Sequence, residues 1–159
     1  MNIGLLVEAT GGHFATVAPT DTIKAAAVTL NRQRVGAALA LDGAGALAGI
    51  LSERDIVRAV GTHGSRMLGL PVSDVMTRSV RTCSPDDSVD TVLGMMNTLR
   101  VRHMPVMRDG RVIGLLDVRD LLAACVQEHA SDAQAMKYFA RLRQDASGPD
   151  LRAHMMTDR

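Results

Sequence analysis

Aromatic side chains are almost missing. The 159 residues hold Phe14, Tyr138 and Phe139, 2% of the chain, and no tryptophan. A core without rings has to be filled by Val, Leu, Ile, Ala and ten Met. The same shortage speaks against an RNA-binding surface built on stacked bases. Excess charge of one sign is lacking too. Eighteen basic residues meet seventeen acidic ones, a net +1, so no global field draws the chain to nucleic acid or an anionic membrane. Cysteine is scarce: Cys83 and Cys125 stand far apart without a CxxC partner, which suggests neither a disulfide framework nor a zinc site. His13, His63, His129 and His154 show no metal-ligand spacing. No apolar run approaches the roughly twenty residues of a membrane span. The start, Met1-Asn2-Ile3-Gly4-Leu5-Leu6, has no basic segment and no long apolar stretch of the signal-peptide kind. The expectation is a soluble protein of a reducing cytoplasm. With 47% hydrophobic and 22% charged residues, the length suits one domain or two small units sharing a core.

What is present is an internal repeat. Thr16-Val17-Ala18-Pro19-Thr20-Asp21-Thr22-Ile23 leads on to Gly49-Ile50-Leu51-Ser52-Glu53-Arg54-Asp55-Ile56. Thr82-Cys83-Ser84-Pro85-Asp86-Asp87-Ser88-Val89 leads on to Gly114-Leu115-Leu116-Asp117-Val118-Arg119-Asp120-Leu121. Pro19 and Pro85 are 66 positions apart, and Gly49 and Gly114 are 65 apart; one extra residue in the first copy's turn near Gly43 accounts for the difference. Asn31/Asn97, Arg34/Arg100 and Val35/Val101 also coincide, so the matches form an ordered series.

Both copies have one grammar. An extended piece opens each, Phe14 to Val17 and Val80 to Cys83. A helix follows, with Ile23, Ala26, Ala27, Leu30 and Val89, Val92, Leu93, Met96 spaced i, i+3, i+4, i+7. In copy two the composition places Ser84 at the N-cap, Pro85 at N1, and Asp86 and Asp87 in the first turn. Next come two apolar runs around a glycine turn: Val35–Leu41 with Leu47–Leu51, and Val101–Met107 with Val112–Leu116. Arg54–Val60 and Arg119–Val126 close the copies as helices. Each unit is thus β-α-β-β-α, too small to cover its own sheet. The whole is α+β: two repeats packed with pseudo-twofold symmetry, plus a C-terminal helix over 131–145. The division is repeat one over 1–62, a linker and lead-in helix over 63–75 with a loop at 61–66, repeat two over 76–127, and a helix and loose tail over 128–159.

The unit ending in Gly-apolar-apolar-Ser-x-x-Asp resembles a CBS domain. The residues that carry the likeness are Gly49–Val57, Met76-Thr77, Val101-Arg102-His103-Met104-Pro105-Val106 and Gly114–Asp120, within roughly 3–126. The tandem arrangement is similar to small stand-alone bacterial CBS pairs, and the resemblance implies a module that binds a ligand and catalyses nothing. It implies an adenosine-containing ligand (AMP, ADP or ATP, with NADH or S-adenosylmethionine as relatives), held in two composite clefts between the repeats, and no catalytic cofactor. The closing-motif Asp would accept the ribose hydroxyls, and the Ser three residues earlier would face the phosphate. In such modules two chains meet as a flat homodimer through their helices, and an unidentified regulated protein would read the ligand-induced shift.

Carried over by residue, the first cleft uses Ser52, Arg54 and Asp55 against Thr77, Arg78, Val101, Arg102 and His103. The second uses Asp117, Arg119 and Asp120 against Thr10, Gly11, Gly12, Val35, Gly36 and Ala37. The clefts are unequal, because Asp117 stands where the family has Ser or Thr. Two like unit charges 4 Å apart at an effective dielectric near 20 repel by about 4 kcal/mol, and Arg119 offsets part of that. The first cleft is expected to take phosphorylated adenosine better. Ala18, Leu39 in the place of the hairpin proline, and Asp117 are departures that keep a second reading open, a structural or interaction module without ligand. No Ser-His-Asp, Cys-His or paired-carboxylate set is tied to a pocket, so an enzyme is not expected.

Overall fold

The computed structural model describes residues 1–129 together with Lys137, Ala140 and Arg141. The helix expected over 131–145 lies outside the described residues apart from those three. The chain opens with α1 (Ile3–Ala9), β1 (Thr16–Val17), α2 (Ile23–Gln33), β2 (Ala37–Leu41), β3 (Leu47–Ser52) and α3 (Glu53–His63). A 3₁₀ helix over Gly64–Gly69 and the short α4 (Val72–Val75) lead into α5 (Val89–Leu99), β4 (His103–Arg108), β5 (Arg111–Asp117) and α6 (Val118–His129). The loop expected at 61–66 is therefore helical on both sides of Gly64, whose positive φ of 58° ends α3.

The first helix of each repeat begins later than its composition suggests. Ser84 is not the cap of α5, and Pro85 is not its first residue. Asp87 Oδ2 instead accepts the Ser84 N–H at 2.8 Å, and Asp21 Oδ2 accepts that of Ala18 at 2.8 Å. Each acid closes a turn, a place that proline's fixed φ suits as well as a helix start. The helices then start behind Thr22 and Ser88, whose hydroxyls accept the N–H of Ala25 and Thr91 at 3.2 and 3.1 Å.

β1, β2 and β3 form one sheet, with β1 parallel to β2 and β2 antiparallel to β3. β4 and β5 form an antiparallel pair. The extended piece expected over 80–83 is reduced to a single parallel bridge between Cys83 and Val106. Proline explains the difference. In copy one, Leu39 donates its N–H to Ala15 O at 2.9 Å. Pro105 holds the matching place in copy two and has no N–H to give.

Each repeat is completed by the segment that precedes the other. α1 packs into copy two: Ile3, Leu6 and Val7 share a core with Val89, Val92, Leu93, Met96, Met104, Val106 and Leu116. The linker packs into copy one, where Met67, Val72 and Met76 join Val17, Ile23, Ala26, Leu30 and Leu51. Matching main-chain bonds fix both exchanges. Ile3 N–H donates to Asp87 O at 2.9 Å and Gly4 N–H to Pro85 O at 2.8 Å, while Val72 N–H donates to Asp21 O at 2.8 Å and Ser73 N–H to Pro19 O at 2.9 Å.

The closing-motif glycines are where the exchanged segments touch the sheets. A Cβ on Gly49 would lie 2.5 Å from Met76 Sδ and 2.9 Å from Thr77 O, whereas the nearest atoms to one on Gly114 are Val7 methyls, at 3.1 and 3.2 Å. Gly49→Ala should therefore cost about 1–3 kcal/mol by overpacking against buried sulfur and main chain, and Gly114→Ala distinctly less. Thermal and urea denaturation of the two variants checks the order.

Candidate functional site

The exchange delivers Thr77 to the end of β3. Ile50 N–H donates to Thr77 O at 3.0 Å, and Thr77 N–H to Ile50 O at 2.9 Å. Ser52, the last residue of β3, is the N-cap of α3, and Asp55 three residues on completes a capping box. These residues line a cavity of about 550 Å³ between the repeats, with Arg54 and Arg58 on the α3 side and Val101, Arg102 and His103 opposite. That volume lies within the range of small-molecule sites.

Asp55 is the one buried charged residue in the core of the described part, 5% exposed. Its Oδ2 accepts the Ser52 N–H at 2.8 Å and the Ser52 hydroxyl at 2.6 Å. Its Oδ1 accepts the Thr77 hydroxyl at 3.1 Å and Arg58 Nη1 at 3.4 Å. Oδ2 thus does structural work at the helix start. Oδ1 holds a hydroxyl and the end of an arginine that is 67% exposed. A polyol can replace either donor and leave the carboxylate paired, which keeps the exchange free of the cost of an orphaned buried charge.

Arg54 reaches across the cavity and donates from Nη1 to Arg100 O at 3.0 Å. Arg100 follows α5 in the left-handed region, φ 53°, as Arg34 follows α2 at φ 55°. Arg78 points elsewhere: its Nη2 donates to Ser73 O at 2.7 Å, and it is not among the residues lining this cavity.

Among the described residues, the two larger cavities take up only some of the residues assigned to a second cleft. Val35, Gly36 and Arg119 border a space of about 750 Å³ with Arg34, Glu53 and Ile56, while Gly36 borders the first cavity as well. Thr10 ends α1, its hydroxyl donating to Leu6 O and Val7 O at 3.0 and 3.2 Å. Gly12 has φ 61° and lies so near Ile113 that a Cβ would stand 3.0 Å from its carbonyl. Ala37 is buried in β2 and Asp120 is exposed on α6. Asp117 precedes α6, and its Oδ1 accepts the Arg119 N–H at 2.8 Å in the manner of an N-cap. Arg119 also clasps the same carboxylate with its side chain, Nε to Oδ1 at 3.0 Å and Nη2 to Oδ2 at 2.8 Å. The charge that distinguishes copy two is thus already held by a partner.

His103 joins the two halves. It pairs across the strands with Asp117, Nε2 lying 3.4 Å from Oδ2, and its ring rests on Gly36, where a Cβ would meet Cε1 at 3.3 Å. Burial is the largest influence on the imidazole and holds its pKa below the usual 6.5, against the attraction of Asp117 and Glu53 and with the repulsion of Arg119 and Arg102. Burial alone would raise the Asp117 carboxyl, but the Arg119 hydrogen bonds outweigh it and keep the pKa below its ordinary value.

Sequence reasoning missed Ile50, Glu53, Val57, Arg58, Leu99 and Arg100 among the lining residues. The coincidence of Arg34 with Arg100 was the available signal for Arg100, because a repeated arginine stands where a helix commonly ends in glycine.

Two hairpin units with exchanged lead-ins and a cavity between them define a tandem-repeat fold. The CBS domain model matches residues 12–62 and 72–127, and the chain belongs to the CBS domain family. It is 30% identical over 132 residues to the mitochondrial CBS domain-containing protein CBSX3 of Arabidopsis thaliana, covering 80% of this chain and 64% of that protein's length. Among solved structures it is similar to the CBS-domain containing protein ATU1752 of Agrobacterium tumefaciens, with a TM-score of 0.76, 34% identity, and coverage of 78% of this chain and 98% of the other. The fold is shared at 23% identity with protein PAE2072 of Pyrobaculum aerophilum, solved with AMP, TM-score 0.68, covering 89% of this chain and 99% of that one. It is shared at the same identity with the CBS pair of protein MJ0100, solved with methylthioadenosine and S-adenosylmethionine, TM-score 0.71, covering 80% and 98%.

The imidazole yields a pH dependence. Below about pH 6.5 an unfolded histidine takes up a proton that folded His103 resists, so the unfolded state binds more protons and stability falls as pH falls. The melting temperature should drop from about pH 7.5 to 5.5, and His103→Gln should flatten that drop.

Proposed function

We propose that this chain is a non-catalytic regulatory module that binds an adenosine-containing nucleotide in the cavity between its two repeats. One observation carries the reading: a cavity of nucleotide size places a buried carboxylate, two hydroxyls and arginines from both repeats around one space. Asp55 Oδ1 takes the ribose hydroxyls, Ser52 and Thr77 lie beside it, and the arginines hold phosphate. With no aromatic ring among the described lining residues, adenine rests against Leu99 and Val101. The AMP, methylthioadenosine and S-adenosylmethionine complexes of proteins with this fold are consistent with such a ligand. Ligand touching both repeats favours one relative arrangement of them, and a partner protein reads that population.

The second cleft is weaker in this reading, because Asp117 and Arg119 satisfy each other there. Calorimetric titration with adenine nucleotides should show affinity reduced about 10–100-fold in Asp55→Asn, the worth of one or two charge-assisted hydrogen bonds. Asp120→Ala should stay within about twofold of the parent. Equal losses sink the asymmetry, and absence of any thermal shift with adenine nucleotides favours the structural, ligand-free module instead.

Two chains meet through their helices in this proposal. Val28 on α2, Val57 and Val60 on α3, and Val126 on α6 are exposed, an apolar set that gains by being covered. Sedimentation should give twice the mass of one chain, and Val60→Asp should give a single chain. No described helix is long and apolar enough to cross a membrane. A reducing cytoplasm suits Cys83, a buried free thiol that burial, with Asp87 nearby, pushes up to about 12.

A further inference from the structure

Positive charge runs out of the proposed nucleotide cavity. Arg54, Arg100, Val101 and Arg102 line that cavity and also border a neighbouring one of about 320 Å³ between α5 and α6. Three of the four shared residues are arginines, so the passage from one space to the other is a cationic ridge. Arg58 adds a fourth guanidinium on the cavity side. Among the described lining residues the acids are Glu53 and Asp55, and Asp55 already accepts from Ser52, Thr77 and Arg58. Among the described residues, no salt bridge engages Arg54, Arg100 or Arg102. Arg100 moreover occupies a left-handed conformation that favours glycine, and from there it borders both spaces.

One phosphate next to the ribose site uses one or two such groups. The ridge continues beyond that point and comes from both repeats, Arg54 and Arg58 from α3, Arg100 and Arg102 from the approach to β4. We infer that the ligand is a nucleoside polyphosphate, a di- or triphosphate whose distal phosphates lie along the Arg54–Arg100–Arg102 ridge, rather than a monophosphate, an uncharged nucleoside or a sulfonium compound. This rests on the nucleotide reading above and selects within it. The planar guanidinium forks suit phosphate oxygens, and each further phosphate adds anionic charge where the lining acids do not compensate the arginines. A sulfonium meets the same ridge with the wrong sign.

The test is calorimetric titration of the full chain, metal-free and at fixed ionic strength, with adenosine, AMP, ADP, ATP and inorganic tripolyphosphate. Affinity should rise about tenfold or more from AMP to ATP, and the ATP value should fall more steeply with salt than the AMP value. In an Arg100→Asn, Arg102→Gln double variant, AMP and ATP should come within about threefold of each other; asparagine tolerates the left-handed position, so the helix end is kept. The Arg100→Lys, Arg102→Lys variant, which keeps the charge, should retain most of the preference for ATP. Equal binding of AMP and ATP by the parent chain overturns the inference and leaves the nucleotide reading standing. Failure of every nucleotide to bind, or tripolyphosphate binding as tightly as ATP, overturns both.

Discussion

Everything about the cavity depends on the exchange of lead-in segments between the repeats. Each hairpin-and-helix unit leaves an apolar sheet face open, and the stretch that covers it belongs to the neighbour in sequence. Val72 and Met76 close the first core, and Ile3, Leu6 and Val7 close the second. The hydrogen bonds from Ile3 and Gly4 to the Pro85–Asp87 turn are repeated by Val72 and Ser73 on the Pro19–Asp21 turn. The turns that delay the helix starts are thus the acceptors that anchor the exchange.

The site follows from that anchoring. Thr77 reaches Asp55 because the segment carrying it is bridged to Ile50, and the bridge requires Gly49 to be bare. Ser52 and Asp55 face the cavity because the capping box holds them at the head of α3. Helix start and proposed ligand site share one carboxylate, with Oδ2 on the Ser52 cap and Oδ1 toward Thr77 and Arg58. Across the cavity, the Arg54 bond to Arg100 O and the packing of His103 on Gly36 set the distance between the repeats.

Much of the fold was readable, because the repeat doubled every weak signal. Periodicity located α2, α5 and the hairpins to within a few residues, and the family resemblance agrees with the domain match. Other features follow from competition that local pattern does not resolve. Proline fits a turn as well as a first helical position, so the caps fall at Thr22 and Ser88 instead of one turn earlier. The weak strand at Cys83 follows from an N–H absent at Pro105, a long-range consequence visible only once the pairing is known. Apolar residues in 3–7 and 72–76 announce helices without saying whose core they enter. In sequence Asp117 reads as a repulsive charge that Arg119 offsets in part, and the folded chain shows how fully Arg119 holds it, with its N–H and its guanidinium together.

The exchanged segments also set an order of assembly. Among the described residues, none of the first core lies beyond Met76, whereas the second draws on Ile3 at one end and Cys125 at the other. During synthesis the first half can close while the second is still being made. α1, the earliest helix to emerge, has to wait for the latest strands, with its apolar side uncovered meanwhile.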